Sequence, residues 1–190
     1  MRLFFALPVP GEAKEALRGP LDAAKKASAD GVGFTRVEQL HFTLAFLGEQ
    51  RDADEALAAG ETLRQSPQFE VALAGVGAFP NTARPRVLWL GVSSGAAELI
   101  SLAERLQVEL RSRGFSLDDR HFRPHLTVGR VRPRGERGAK HALAALPPAE
   151  FARWTAHEAC LMQSVLGRGG ATHTILRSFP LSLIGDTIRN

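Results

Sequence analysis

A His-x-Thr triplet occurs twice in this chain, in strands of the same character, and that repetition limits the fold more than any other feature. Residues 40–48 read LHFTLAFLG and residues 124–130 read PHLTVGR, which places His41 two residues before Thr43 and His125 two residues before Thr127. Successive side chains of an extended strand point to opposite faces. Phe42, Leu44 and Phe46 are therefore expected on one apolar face, and His41, Thr43 and Ala45 on the other. One face packs; the other offers an imidazole beside a hydroxyl.

The surroundings of the two triplets repeat as well. His41 and His125 stand 84 residues apart, and so do Leu3 and Val87, near the heads of the apolar strands RLFFALPV and RVLWLGV. Each of these strands precedes a segment with apolar residues at helical spacing: Ala13, Ala16, Leu17 and Leu21 in the first half, Leu99, Ile100, Ala103, Leu106 and Leu110 in the second. After each His-x-Thr strand the pattern predicts a further helix, over about Asp52 to Gln65 and near Ala139 to Leu146. Extended runs follow, FEVALAGVGAF and WTAHEACLMQSV, and the same shift carries Phe69–Ala74 onto Arg153–Glu158. This is an internal duplication. The expected fold class is α+β: one bilobal domain over residues 1–190, with pseudo-twofold lobes near 1–84 and 85–190 and termini free to cross between them. Two antiparallel sheets would face a central groove, helices would cover their outer sides, and ATHTILRSFPLSL would complete the second sheet.

Composition narrows the setting. With 190 residues, of which 44% are hydrophobic, the chain can bury a substantial core. The opening MRLFFALPVP is too short an apolar run to span a bilayer and lacks the pattern of a cleaved signal, so a cytoplasmic protein without a membrane partner is expected. Cys160 is the single cysteine, which excludes an internal disulfide and a cysteine-based zinc site. The net charge is +4, and from Arg120 to Lys140 seven basic residues face the single acid Glu136. That balance suits a polyanionic partner, although loop arginines are also commonly just solvated. Nothing calls for an obligate assembly, and a monomer is expected.

Two imidazoles facing one ligand form an acid–base pair. A neutral histidine can take a proton from a nucleophile while a protonated one gives a proton to a leaving group, because the unperturbed histidine pKa lies near neutrality. Threonine hydroxyls and backbone donors would hold the non-bridging oxygens of a phosphate, with no metal or cofactor required. Ala45 and Gly129, next on the same faces, would leave room for the ligand. Neither triplet has an Asp or Glu beside its histidine, and Glu49 follows the strand too late to serve as a ligand, which counts against a metal hydrolase. The chain also lacks a phosphate-binding GxxxxGK loop, a nucleophile elbow and a dinucleotide fingerprint.

These residues resemble a known family. RLFFAL at the start, LHFTLAFLGE around His41, RPRVLWLGV from Arg84 and FRPHLTVGRV around His125, in that order, are similar to the 2H phosphoesterases. More specifically, the chain resembles the bacterial and archaeal RNA 2′,3′-cyclic phosphodiesterases once described as 2′-5′ RNA ligases, over nearly its whole length. The resemblance implies a bilobal α+β fold and hydrolysis of a terminal 2′,3′-cyclic phosphate on RNA to a 2′-phosphomonoester, with reversible 2′-5′ joining as a minor activity. It implies His41 as proton donor, His125 as proton acceptor, and Thr43 and Thr127 as phosphate ligands.

Recognition of RNA is expected to combine stacking on an aromatic with arginine contacts to the backbone. The candidates are Phe5, Trp89 and Phe122, with Arg84, Arg120 and Arg130. Strict alternation from His125 puts Arg130 on the opposite face, so it reaches the groove only if the strand ends or bulges near Gly129. Phe5 and Trp89 are equivalent under the 84-residue shift, and core positions suit both equally well. His121 reads as an exposed loop residue, and His141 and His157 as structural or solvated. His173 is followed directly by Thr174, so it makes no third motif; LGRGGATH reads as a hairpin turn. Two other readings stay open: a noncatalytic module binding RNA ends or nucleotides, and a cyclic phosphodiesterase acting on a small nucleotide.

Overall fold

A computed structural model of the chain describes residues 1–167 and 170–183. The first half runs β1 (Arg2–Pro8), α1 (Gly11–Ala27), β2 (Val32–Phe34), β3 (His41–Glu49), α2 (Asp54–Gly60, continued by a 3-10 turn to Gln65) and β4 (Phe69–Phe79). The second runs β5 (Val87–Ser94), α3 (Ala96–Ser112), β6 (Leu126–Val131), α4 (Glu136–Ala145), β7 (Glu150–Ala156), β8 (Glu158–Gly167) and β9 (Gly170–Pro180). Both long helices form for the expected reason. One stripe of each is buried, Ala13, Leu17, Leu21 and Ala24 in α1 and Leu99, Leu102, Ala103, Leu106 and Leu110 in α3. No helix among the described residues is long and apolar enough to cross a membrane.

Two antiparallel sheets carry the fold, in the orders β3-β1-β8-β9 and β2-β6-β5-β4-β7. Their membership corrects the expected division of the chain. The final strand β9 pairs with β8 in the first sheet and does not complete the second, while β4, from the first half, lies beside β5 in the second. Each sheet thus takes strands from both sides of residue 84. In pseudo-twofold terms β3, β1, β8 and β9 correspond to β6, β5, β4 and β7. The helices cross as well: α1 packs against α4 and β7 of the second sheet, and α3 against β3 of the first.

Strict alternation fails in both triplet strands, at the same place. Along β1, Phe5 pairs with Ala45 and Ala6 with Thr43, which leaves Leu44 unpaired; along β5, Leu88 pairs with Gly129 and Trp89 with Thr127, which leaves Val128 unpaired. Each is a β-bulge, and past it the faces swap. Ala45 is accordingly buried in the main core and does not stand beside Thr43, while Phe46, expected in the core, is 48% exposed. Arg130, the counterpart of Phe46, is exposed on the groove face.

The strands preceding the triplets are related by a different shift. Phe4 opposes Phe46 and Val87 opposes Arg130, so β1 maps onto β5 with a separation of 83 residues, one less than the separation of the triplets. That single residue decides two of the candidate roles. Phe5 corresponds to Leu88 and, fully buried, packs 6.0 Å from the Phe179 ring in the core; it is no stacking surface. Trp89 corresponds to Ala6 and shares the face of Thr127, where its ring lies over Gly77 and 5.4 Å from Phe79. A Cβ at Gly77 would run into the six-membered ring of the Trp89 indole, so only glycine fits beneath it.

These placements set the cost of substitution. Phe5→Ala is expected to remove about 3–5 kcal/mol of stability by opening a cavity in the core. Gly77→Ala is expected to remove about 1–3 kcal/mol by overpacking. Guanidinium unfolding of the two variants beside the wild type measures both; a Phe5→Ala midpoint equal to wild type contradicts the core placement.

Candidate active site

The two sheets meet in a groove of about 460 Å³. β3 brings His41 and Thr43 to one wall, and β6 with the residue before it brings Thr127 and His125 to the other. All four triplet residues face one space.

Local geometry orients both rings in the same way. Nδ1 of His41 lies 2.7 Å from the carbonyl oxygen of Gln39, and Nδ1 of His125 lies 2.6 Å from that of Arg123. A carbonyl only accepts, so in each ring Nδ1 carries the hydrogen and donates it, and Nε2 is the nitrogen available for proton transfer. Both bonds reach back two residues, as the extended chain allows. Aromatic rings back both imidazoles: Phe4 stands 5.0 Å from His41, and Phe79 is edge-on to His125 at 4.8 Å. Trp89 in turn braces Phe79, so it supports the site without lining it.

Burial lowers the proton affinity of both rings. His41 is pushed down to about 4, first by burial and further by the nearby charges of His173 and Lys14, against the opposing pull of the Gln39 carbonyl. His125 is lowered by burial and by Arg123, again against its carbonyl bond. His41 is the more deeply buried and the more strongly shifted, which makes its imidazolium the stronger acid.

A model of the 2′-5′ RNA ligase superfamily matches residues 10–168, most of the chain and both triplets. The chain belongs to the 2′-5′ RNA ligase superfamily. Among its relatives, the RNA 2′,3′-cyclic phosphodiesterase of Archaeoglobus fulgidus is 35% identical over 182 residues, covering 94% of this chain and 99% of the relative. The crystal structure of TT0787 of Thermus thermophilus aligns with a TM-score of 0.79 at 30% identity, covering 95% of this chain and 97% of that one. Escherichia coli LigT complexed with 3′-AMP aligns with a TM-score of 0.74 at 27% identity, covering 95% and 98%.

In this member of the superfamily the wider candidates separate cleanly. Arg130 lines the groove because of the bulge. Arg84 and Arg120 do not line it. The exposed Arg84 sits in a turn where its backbone N–H donates to Asn81 Oδ1 at 2.9 Å, and the exposed Arg120 is tied to Asp118 by a bond of 2.9 Å. Phe122, partly buried, packs against the main core and does not line the groove. The Arg120–Lys140 run therefore sends one arginine, Arg130, into the groove. Among the described residues no three of His, Cys, Asp and Glu converge as a metal ion would need.

The groove also holds residues that alternation and motif reading miss. Phe46 arrives through the bulge, and Arg36 from the turn before His41. His173 comes from β9, its ring 5.1 Å from that of His41 and 4.9 Å from Phe4. No local pattern marks His173; only the curl of the first sheet brings it there. Residues 168 and 169 of the expected LGRGGATH turn lie outside the described residues, but Gly170 and Ala171 of the same stretch line the groove.

Proton NMR tests the electrostatics directly. His41 is expected to titrate near 4 and His125 below the ordinary histidine value of 6.5. Inorganic phosphate should raise both, since an anion between the rings favours their charged forms. A titration that phosphate leaves in place puts the anion elsewhere.

Proposed function

We propose that this protein is a metal-independent RNA 2′,3′-cyclic phosphodiesterase, a cytoplasmic monomer acting as one bilobal unit, that opens the cyclic phosphate to a 2′-phosphomonoester. The observation that carries this reading is the opposed pair of triplets, each with Nδ1 tied to a backbone carbonyl and Nε2 left for chemistry. The name of the Archaeoglobus fulgidus relative and the 3′-nucleotide bound by LigT support the choice of substrate.

In this mechanism Nε2 of His125 takes a proton from water as its oxygen attacks phosphorus in line with the 3′ oxygen. The P–O3′ bond breaks, and Nε2–H of His41 protonates the departing 3′ oxygen. The products are a 2′-phosphate and a 3′-hydroxyl, and solvent exchange restores both rings. Hydroxyls of Thr43 and Thr127 donate to the non-bridging oxygens, where charge collects in the transition state, and Arg130 adds a fixed positive charge. Burial leaves both rings mostly neutral in the free protein, and the phosphate anion in the complex favours the charged form that His41 needs as donor. A 5′-hydroxyl in place of water gives a 2′-5′ linkage by the same steps.

The deciding assay supplies a short RNA with a 2′,3′-cyclic phosphate end, in excess EDTA, and identifies the product isomer. The wild type should form the 2′-phosphate, and His41→Ala and His125→Ala should each lower kcat by about 10²–10⁴. Loss of wild-type activity in EDTA that added metal restores overturns the mechanism. A folded wild type that binds the RNA end without turning it over identifies a binding module.

The rate profile should be bell-shaped, and its two forms should differ. Limbs of kcat/KM report the free protein, where both histidines are lowered, whereas limbs of kcat report the complex, where an anionic phosphate raises them. The kcat profile is expected at higher pH than that of kcat/KM; coincident profiles contradict direct contact between the phosphate and the rings.

A further inference from the structure

The histidine pair accounts for one phosphate, yet the groove carries more positive charge than one phosphate requires. Arg2, Arg36 and Arg130 all line it with His41, His125 and His173, and no Asp or Glu does so among the described residues. Elsewhere on the surface Arg18, Arg64, Arg113, Arg120 and Arg153 are paired with carboxylates. Arg2 and Arg36 have no such partner among the described residues.

Register places part of this charge away from the catalytic pair. Arg2 of β1 opposes Ser164 of β8, and Ser164 opposes His173 of β9, so the three form one row across the first sheet. The row lies four residues, about 13 Å along the strand, from the level where Ala6 opposes Thr43. The His173 ring leans back from it to contact His41. Arg36 is fixed beside the row: Nη2 donates to the Ala171 carbonyl at 3.4 Å and Nε to Gln39 Oε1 at 3.3 Å, which leaves guanidinium donors free. Its charge is felt at His173.

His173 also differs chemically from the catalytic pair. Its Nδ1 is buried with no hydrogen-bond partner among the described residues. An orphaned N–H is rarer in proteins than an orphaned lone pair, so the favoured tautomer keeps its hydrogen on Nε2. His173 is then a donor for an anion, where His41 and His125 offer Nε2 for proton exchange.

We propose that Arg36, Arg2, Ser164 and His173 form a second anion subsite, which takes the phosphodiester on the 5′ side of the terminal nucleotide and makes RNA ends of two or more nucleotides the preferred substrate class. This rests on the cyclic-phosphate reading above. In a chain ending in a 2′,3′-cyclic phosphate the next phosphate is necessarily on that 5′ side. A guanidinium contact to it is a charge-assisted hydrogen bond, and its effect should appear mainly in KM.

The test compares three substrates: a nucleoside 2′,3′-cyclic phosphate with a free 5′-hydroxyl, the same compound with a 5′-phosphate, and the dinucleotide. The wild type should favour the dinucleotide over the first compound by about tenfold or more in kcat/KM. Arg36→Ala should collapse that ratio toward one, and Arg36→Lys should keep part of it. Equal wild-type rates on the first and third substrates, or a ratio that Arg36→Ala leaves intact, overturn the subsite. A 5′-phosphorylated mononucleotide that matches the dinucleotide overturns the RNA assignment in favour of a small nucleotide. No turnover of any of the three removes the cyclic-phosphate reading, and this inference with it.

Discussion

The chemistry of this groove depends on two short hydrogen bonds, each running from a histidine Nδ1–H to the carbonyl two residues earlier. A single bond of this kind contributes only about 0.5–1.5 kcal/mol net to stability, so its value here is orientation. It selects one tautomer, aims Nε2 and holds the ring against rotation. Because donor and acceptor lie in the same extended segment, the geometry survives small movements elsewhere. The twofold repetition of the local sequence then yields two equally directed imidazoles without any long-range network.

Holding the two rings opposite one another is a separate problem, which the strand exchange solves. Had each sheet been built from one half of the chain, the halves could part while every ladder stayed intact. With β4 in the second sheet and β8 and β9 in the first, parting the two halves of the chain breaks backbone pairing in both sheets. The crossed helices add to this, since α1 and α3 each bury their apolar stripe against the sheet that does not contain the preceding strand. Proton transfer requires reacting atoms at hydrogen-bond distance, and a groove between interlocked sheets keeps that distance better than one between hinged lobes.

The sequence was most legible where its meaning was local and periodic. Period-two alternation put His41 with Thr43 and His125 with Thr127, and the duplication supplied the order of the elements. Alternation then failed at Leu44 and Val128, since a bulge has no signature in a run of apolar residues. Phe46 consequently read as core and Ala45 as groove, the reverse of the structure. The error in Phe5 had a different origin: a shift of 83 in place of 84 reverses the face of every residue in the strand, so the best numerical alignment of the repeats misplaced a whole ladder. His173 was out of reach because its position depends on sheet curl, which pairwise patterns do not encode.

Charge shows the same contrast between a segment and a site. The densest basic run in the sequence sends little into the groove, because Arg120 is bound to Asp118 and Arg123 lies over the Phe79 ring. The arginines that do reach the groove come from three separated places: Arg2 at the start of β1, Arg36 in the turn before His41, and Arg130 past a bulge. Only Arg130 belongs to the basic run; Arg2 and Arg36 would not be chosen from a plot of charge along the chain. What unites them is that folding brings their guanidinium groups to one groove that no Asp or Glu lines among the described residues. An anion-binding surface is therefore better recognised by where the fold gathers positive charges away from carboxylates than by where the sequence concentrates them.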